Sequence, residues 1–410
     1  MPNIKRFFRG LGPGLITGAA DDDPSGIATY SQTGAQFGYG QLWTAFFMLP
    51  FLVSVQEICA RIGAVKKQGL AAVIKENYSK KVLYLMVMLI LVANTINIGA
   101  DLGAMAAAAQ LLVPGNFFLL SLFFTLTILL LEIFVNYNSY ARFLKWLAIF
   151  LLAYPLSLCL IKVPWLDVIK HTFIPHTELN YQFLFIITGV FGTTITPYLF
   201  FWQASQVVED IKAKKHTSMS NLLYKVRLDN AVGMISSEIC TWSIIVVTGT
   251  VLHAKGVTNI TTAANAAKAL EPFAGKLATG IFSIGIIGLG MLAVPVLAGA
   301  SAYALSEAMD WKGGLNDKFQ RARGFYGIII ASTIVGLGTN FMGINPMKFL
   351  VISAVINGII AVPLLLMLAL ISGNKKIMGQ YKNGWLSSIF IWLTFLFMAV
   401  TTVTLFFNSK

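Results

Sequence analysis

Asp21-Asp22-Asp23-Pro24-Ser25-Gly26 places three carboxylates, a proline and a glycine inside an apolar stretch that runs from Leu11 to about Phe37. The surroundings are those of a membrane: 57% of the 410 residues are hydrophobic, only 11% are charged, and many apolar runs are long enough to span a bilayer. An ionised aspartate at that depth costs about 2.5–3.5 kcal/mol even on insertion scales. A helix carried through Pro-Ser-Gly also loses backbone hydrogen bonds that lipid cannot replace. Such a segment is tolerable only where it lines a cavity holding water or a cation.

Eleven hydrophobic segments are expected, near 11–37 (broken), 41–63, 82–113, 116–137, 143–163, 182–208 (broken), 230–253, 276–306, 323–341, 347–371 and 385–407. The chain is therefore expected to be an all-α polytopic membrane protein, its first span retained rather than cleaved as a signal peptide. Basic residues alternate by side. Lys5, Arg6 and Arg9 precede span 1; Lys66, Lys67, Lys75, Lys80 and Lys81 follow span 2; Arg142 and Lys145 follow span 4. Lys212, Lys214, Lys215, Lys225 and Arg227 follow span 6; Lys312, Lys318, Arg321 and Arg323 follow span 8; Lys375, Lys376 and Lys382 follow span 10. The positive-inside rule puts this side, with the N-terminus, in the cytoplasm and Lys410 outside, in what is expected to be the plasma membrane.

The net charge of +13 is thus loop charge, and no basic stripe interleaved with aromatics points to nucleic acid. Cys59, Cys159 and Cys240 stand singly in apolar surroundings and read as core residues. His171, His176, His216 and His253 fall in loops or at span ends, which leaves no embedded imidazole cluster for a soft metal. No nucleophile and base pair, phosphate loop or cofactor motif stands out, so an enzyme is not expected and neither is a resident cofactor. No obligatory protein partner is evident beside the bilayer itself.

Five spans after the first break, Gly189-Val190-Phe191-Gly192-Thr193-Thr194-Ile195-Thr196-Pro197-Tyr198 forms a second small, polar, proline-containing interruption. Alone it reads as a proline kink. Paired with the first, it points to a transporter of two inverted five-span repeats whose substrate site lies where the breaks meet.

Gly12-Pro13-Gly14, Asp23-Pro24-Ser25-Gly26-Ile27-Ala28-Thr29, Phe37-Gly38-Tyr39, Leu42-Trp43 and Ala60-Arg61-Ile62-Gly63 resemble the opening of the NRAMP family of divalent-metal transporters. The similarity continues through Ala100-Asp101-Leu102, Thr196-Pro197, Ile352-Ser353 and Lys375-Lys376-Ile377-Met378-Gly379, and so covers nearly the whole chain. It implies the LeuT-like 5+5 inverted repeat plus one extra helix, with repeats at about 11–163 and 182–371 and the extra helix at about 385–407.

The departures from the family are informative. Transition-metal carriers of the family have Asp-Pro-Gly-Asn in span 1 and Met-Pro-His in span 6. This chain keeps the aspartate as Asp23 but has Gly26 for the Asn, Thr196 for the Met and Tyr198 for the His. A thioether favours borderline-soft cations, whereas carboxylate, hydroxyl, carbonyl and water suit magnesium, which sheds water reluctantly. The pattern resembles the NRAMP-related magnesium transporters, with an enlarged site for a largely hydrated Mg2+ and with Mn2+ as a second substrate. Proton-coupled relatives carry two glutamates in span 3, where Asn94 and Ala104 stand here, so obligatory proton coupling is not expected; Asp101 is retained.

By this resemblance Asp23 is the principal ligand, with the Thr196 hydroxyl and the carbonyls of Gly26 and Thr193 at the ion or its inner waters. Asp21 and Asp22 line the approach. Asp101, Tyr198 and Asn357 are candidates for the cavity, and Ala354 stands where the family has glutamine. Among Glu57, Glu132, Glu238 and Glu307, paired structural roles are expected, with Glu238 the candidate for a supporting role at the site. Three other readings stay open: a proton-coupled Mn2+ or Fe2+ carrier, a sensor on the same scaffold, and a LeuT-like carrier of small organic substrates such as amino acids, whose carboxylate the three aspartates would repel.

Overall fold

The computed structural model describes residue 18 and residues 21–135, 147–213 and 219–408, and every described regular element is helical. In chain order the long helices are α1 (Pro24–Phe37), α2 (Trp43–Lys66), α3 (Leu70–Asn77), α4 (Lys80–Ala109), α5 (Phe117–Phe134) and α6 (Trp165–Phe173). They continue with α7 (Tyr181–Thr194), α8 (Pro197–Ala213), α9 (Met219–Val251), α10 (Ala278–Ala308), α11 (Arg323–Thr339), α12 (Pro346–Gly373) and α13 (Trp385–Phe407). Nine helical stretches among the described residues are long and apolar enough to cross a bilayer, α7 and α8 together forming one of them.

Polar caps mark where the apolar runs begin. Asn116 accepts from the Phe118 and Leu119 amides at α5, Asn180 from Phe183 at α7, and Asn345 from Met347 and Lys348 at α12, where Pro346 fills the first helical position. The α7–α8 pair sits at the centre, 94% of its most apolar stretch buried, whereas only 22% of the corresponding stretch of α13 is buried and its Leu, Phe and Val side chains turn outward. That contrast is expected when the outer face meets lipid and the inner face meets other helices.

The central helices approach closely through small residues. A Cβ on Gly192 of α7 would collide with the Ala354 carbonyl and the Gly358 backbone of α12, and one on Gly18 with the Gly233 backbone of α9. α1 is thereby enclosed by α7, α9, α12 and α4.

Several expectations are corrected. The first break falls at Asp22–Asp23, because Pro24 already occupies the first position of α1 and Asp23 caps it. Gly26 therefore lies inside the first turn, and its carbonyl is not freed. Span 7 begins at Met219 rather than near 230, since no proline or glycine stops the helix before Gly233; Lys225 and Arg227 ride on it, and Arg227 Nε donates to Glu57 at 2.8 Å. The described part of span 5 is a 3-10 helix (Leu147–Leu152) followed by a five-residue helix (Ala153–Ser157) around Pro155, not one long span. Cys59 and Cys240 are buried as expected, but Cys159 is exposed. Gly12-Pro13-Gly14, the starts of spans 1 and 5, Lys5, Arg6, Arg9, Arg142, Lys145, Lys214, Lys215, His216 and Lys410 lie outside the described residues.

Candidate functional site

Asp23 sits at the first break with φ −65° and ψ 172°, an extended residue between helical segments. Its Oδ1 accepts from the Gly26 amide at 2.8 Å and from Ser25 Oγ at 2.5 Å, and its Oδ2 accepts from Asn97 Nδ2 at 3.2 Å. The cap therefore fixes the carboxylate, while Oδ2, with a single neutral donor, keeps acceptor capacity for a cation. Asp23 is 2% exposed, so the site is closed to bulk solvent in this conformation.

The second break faces the first. α7 ends at Thr194, Ile195 leaves helical geometry at φ −104° and ψ 63°, and α8 starts at Pro197. Pro197 has no N–H to give the Thr193 carbonyl four residues earlier, so that oxygen lacks its α-helical donor. Thr196 lies in the gap, 1% exposed, with a hydroxyl that has no hydrogen-bond partner. A buried orphan hydroxyl beside a chain break is a ready oxygen ligand for an ion or its water.

Ser25 joins the breaks, its Oγ 3.2 Å from Thr193 Oγ1, and the Tyr30 hydroxyl lies 2.9 Å from Thr194 Oγ1. Neither Ser25 nor Asn97 was singled out from sequence. Asn97 had a readable signal, since Asn94, Asn97 and Asp101 fall on one face of α4 at spacings of three and four. Asn94 Nδ2 donates to the Leu297 carbonyl at 3.0 Å and Ser301 Oγ at 2.9 Å, which ties α4 to α10. Asp101 is fully buried, and neither of its oxygens has a partner.

Tyr198 is buried in the first turn of α8 within electrostatic reach of Asp23 and Asp101. Asn357 is 1% exposed on α12, its amide nitrogen without a partner, next to the Gly358 that packs on α7. The space expected from Gly26 is not open in this conformation: a Cβ there would lie 3.2 Å from the Tyr30 ring and 3.3 Å from Thr193 Oγ1. Asp22 and Glu238 stand apart from the Asp23 donors, toward α9, where Ser237 Oγ is 3.0 Å from Asp22 Oδ1. Among the described residues no three His, Cys, Asp or Glu groups form a compact direct metal cluster. The donors at the breaks are all oxygens: one fixed carboxylate, one carbonyl without its α-helical donor and one orphan hydroxyl.

The model of the natural resistance-associated macrophage protein-like (Nramp) family matches residues 14–408. The chain belongs to the Nramp family. A relative from Caldanaerobacter subterraneus, named divalent metal cation transporter MntH, is 26% identical over 402 residues, covering 93% of this chain and 88% of the relative. The metal transporter nramp1 homolog of Dictyostelium discoideum is 25% identical over 417 residues, covering 97% of this chain and 74% of the relative. The manganese transporter of Eremococcus coleocola has the same fold: TM-score 0.75 at 16% identity, over 97% of this chain and 85% of that one. Inward-facing Mhp1, of LeuT-like fold, gives a TM-score of 0.53 at 12% identity over 98% of this chain and 91% of that one. The Nramp chain is thus an all-helical integral membrane protein of LeuT-like fold, in a family of transporters rather than enzymes.

Proposed function

We propose that this Nramp-family protein carries divalent cations through the bilayer by alternating access, Mg2+ first and Mn2+ second, each as a largely hydrated ion and without obligatory proton coupling. The observation that carries the reading is the orphan, buried Thr196 hydroxyl in the second break, which the Ser25–Thr193 contact brings against the Asp23 break, the pair offering oxygen and neither thioether nor imidazole. Oxygen donors that are few match an ion that keeps several waters. Relatives named as divalent metal cation transporters support the cargo class.

In this proposal Asp23 supplies the charge, Thr196 and the Thr193 carbonyl touch the ion or its inner waters, and Gly26 serves by letting α1 approach Thr193 rather than as a ligand. Tyr198 and Asn357 line the cavity, with Asp101 behind Asp23. The two repeats (about 11–163 and 182–371) rock about these residues, and the extra helix (about 385–407) flanks them. The N-terminus lies in the cytoplasm and the C-terminus outside, as the loop charge implies. The metal is cargo, not a cofactor.

The orphan carboxylate of Asp101 favours a second reading, a proton-coupled Mn2+ or Fe2+ carrier, because a buried unpaired carboxylate can take a proton with each ion. Uptake into sealed liposomes, with an internal dye reporting pH, separates the two. Mg2+ influx without acidification, lost in Asp23→Ala, is the expected result. Acidification at a fixed ratio to Mn2+ influx, with Mg2+ excluded, would replace the first reading by the second.

A further inference from the structure

Three carboxylates lie outside the donors that hold Asp23. Asp21 and Asp22 end the segment before α1, 0% and 2% exposed, and Glu238 on α9 is 5% exposed. Ser237 Oγ stands 3.0 Å from Asp21 Oδ2 and 3.0 Å from Asp22 Oδ1, and a hydroxyl has only one proton to give. Asp21 Oδ1 and both Glu238 oxygens have no hydrogen-bond partner. No salt bridge reaches any of the three among the described residues. Ionised, the three would put buried charge of one sign side by side, a cost that either a proton or a cation removes.

A second observation comes from α9. Gly18 packs on the Gly233 backbone, and Gly34 packs on the Ile245 carbonyl and Thr248, so residues 233, 237, 241, 245 and 248 make the stripe that faces the first span. Thr241 lies on that stripe one turn beyond Ser237, is 1% exposed, and its hydroxyl has no partner. Elsewhere on α9 the buried hydroxyls bond back one turn, Ser243 to Ile239 and Thr248 to Ile244, both at 2.7 Å. Thr241 does not, and so keeps its oxygen for something between the helices.

We propose that Asp21, Asp22 and Glu238, with the hydroxyls of Ser237 and Thr241, form a second cation station on the α9 side of the break. It takes a hard divalent cation through its inner water shell. Every donor is oxygen, which selects against soft metals. The carboxylates are too dispersed for three of them to grip one bare ion, so water completes the shell. The station is separate from the Asp23 donors, which turn toward α4 and α7, and its occupancy does not depend on the transport reading. Its role in transport does: an ion leaving Asp23 meets a second acidic stop, and two ions sharing one bend repel each other, which speeds release.

Equilibrium dialysis of the purified full chain in detergent against Mg2+, with elemental analysis of bound metal, tests it. Two saturable ions per wild-type chain, one in Glu238→Gln, one in Asp23→Asn and none in the double variant would establish the station. Thr241→Val gives the same test with less perturbation: roughly tenfold weaker binding of one ion, the other unchanged. A single wild-type ion, lost in Asp23→Asn and kept in Glu238→Gln, would overturn the station and leave the Asp23 site standing. Two ions retained in Glu238→Gln would overturn it as well. Two ions retained in Asp23→Asn, with one lost in Glu238→Gln, would support the station while removing Asp23 as the ligand of the proposed transport.

Discussion

The Tyr30 hydroxyl on α1 lies 2.9 Å from Thr194 Oγ1 at the end of α7, a hydrogen bond that ties the two broken helices together one turn and a half beyond Pro24. Both side chains are fully or nearly fully buried. In the alternating-access cycle proposed above, this bond holds the arrangement seen here and parts as α1 and α7 separate. A buried neutral hydrogen bond contributes about 0.5–1.5 kcal/mol net, so Tyr30→Phe should shift the closed-to-open balance roughly 2- to 10-fold toward open. Accessibility of a thiol introduced beside the site, measured by alkylation rate, should rise by that factor, and an unchanged rate would mean the bond does not gate.

Thr196→Met restores a thioether at the second break. Mg2+ uptake should fall and Cd2+ or Mn2+ should compete at least about tenfold more strongly, because the soft sulfur replaces a hard oxygen. A competition series in proteoliposomes measures it. Unchanged selectivity would place Thr196 away from the ion.

Cation binding should stabilise the fold. An ion at 100 times its Kd adds about 2.7 kcal/mol by mass action. Thermal unfolding in detergent should therefore move upward with Mg2+, and Asp23→Ala should lose the part of that shift due to its own ion, keeping the part due to the station beside Glu238 and a similar Tm in chelator. An equal shift in both proteins would detach the stabilisation from Asp23.

Glu307 on α10 joins three elements: Oε1 accepts from Ser205 Oγ of α8 at 2.9 Å, and Oε2 accepts from the Ala71 and Ala72 amides at the start of α3, at 3.1 and 3.3 Å. Glu307→Ala strands those amides, at about 1–3 kcal/mol for an unsatisfied buried donor, whereas Ser205→Ala removes a single bond worth about 0.5–1.5 kcal/mol. The double variant should cost less than the sum of the two, because both singles break the same contact. Additive losses in thermal stability would show that the α8 and α3 contacts are independent.

Glu57 and Glu307 did find the bundle partners expected of glutamates in or near spans, Glu57 with Arg61 and Arg227 and Glu307 as above. Glu132 and Glu238 did not: all four of their carboxylate oxygens lack a partner. An embedded glutamate announces itself in any sequence, but whether a donor meets it depends on which face of its helix turns inward and what the neighbouring helix presents there. Asn97 and Ser25 escaped notice for the same reason. Each is unremarkable as a residue type and matters only because it stands within hydrogen-bond reach of Asp23.

The sequence by itself determined the membrane class, the existence of the two interruptions and the oxygen-only chemistry beside them. These follow from local causes: hydrocarbon admits few charges, Pro24 and Pro197 withhold backbone donors, and residue identity sets donor type. Only the tertiary structure decided that the break precedes Pro24, that Gly26 is packed against Thr193 rather than open, and that Asp23 turns to Asn97 while Asp21 and Asp22 turn to Ser237. Those outcomes depend on contacts between residues as much as 216 positions apart, and the packing of whole helices, not local preference, selects them.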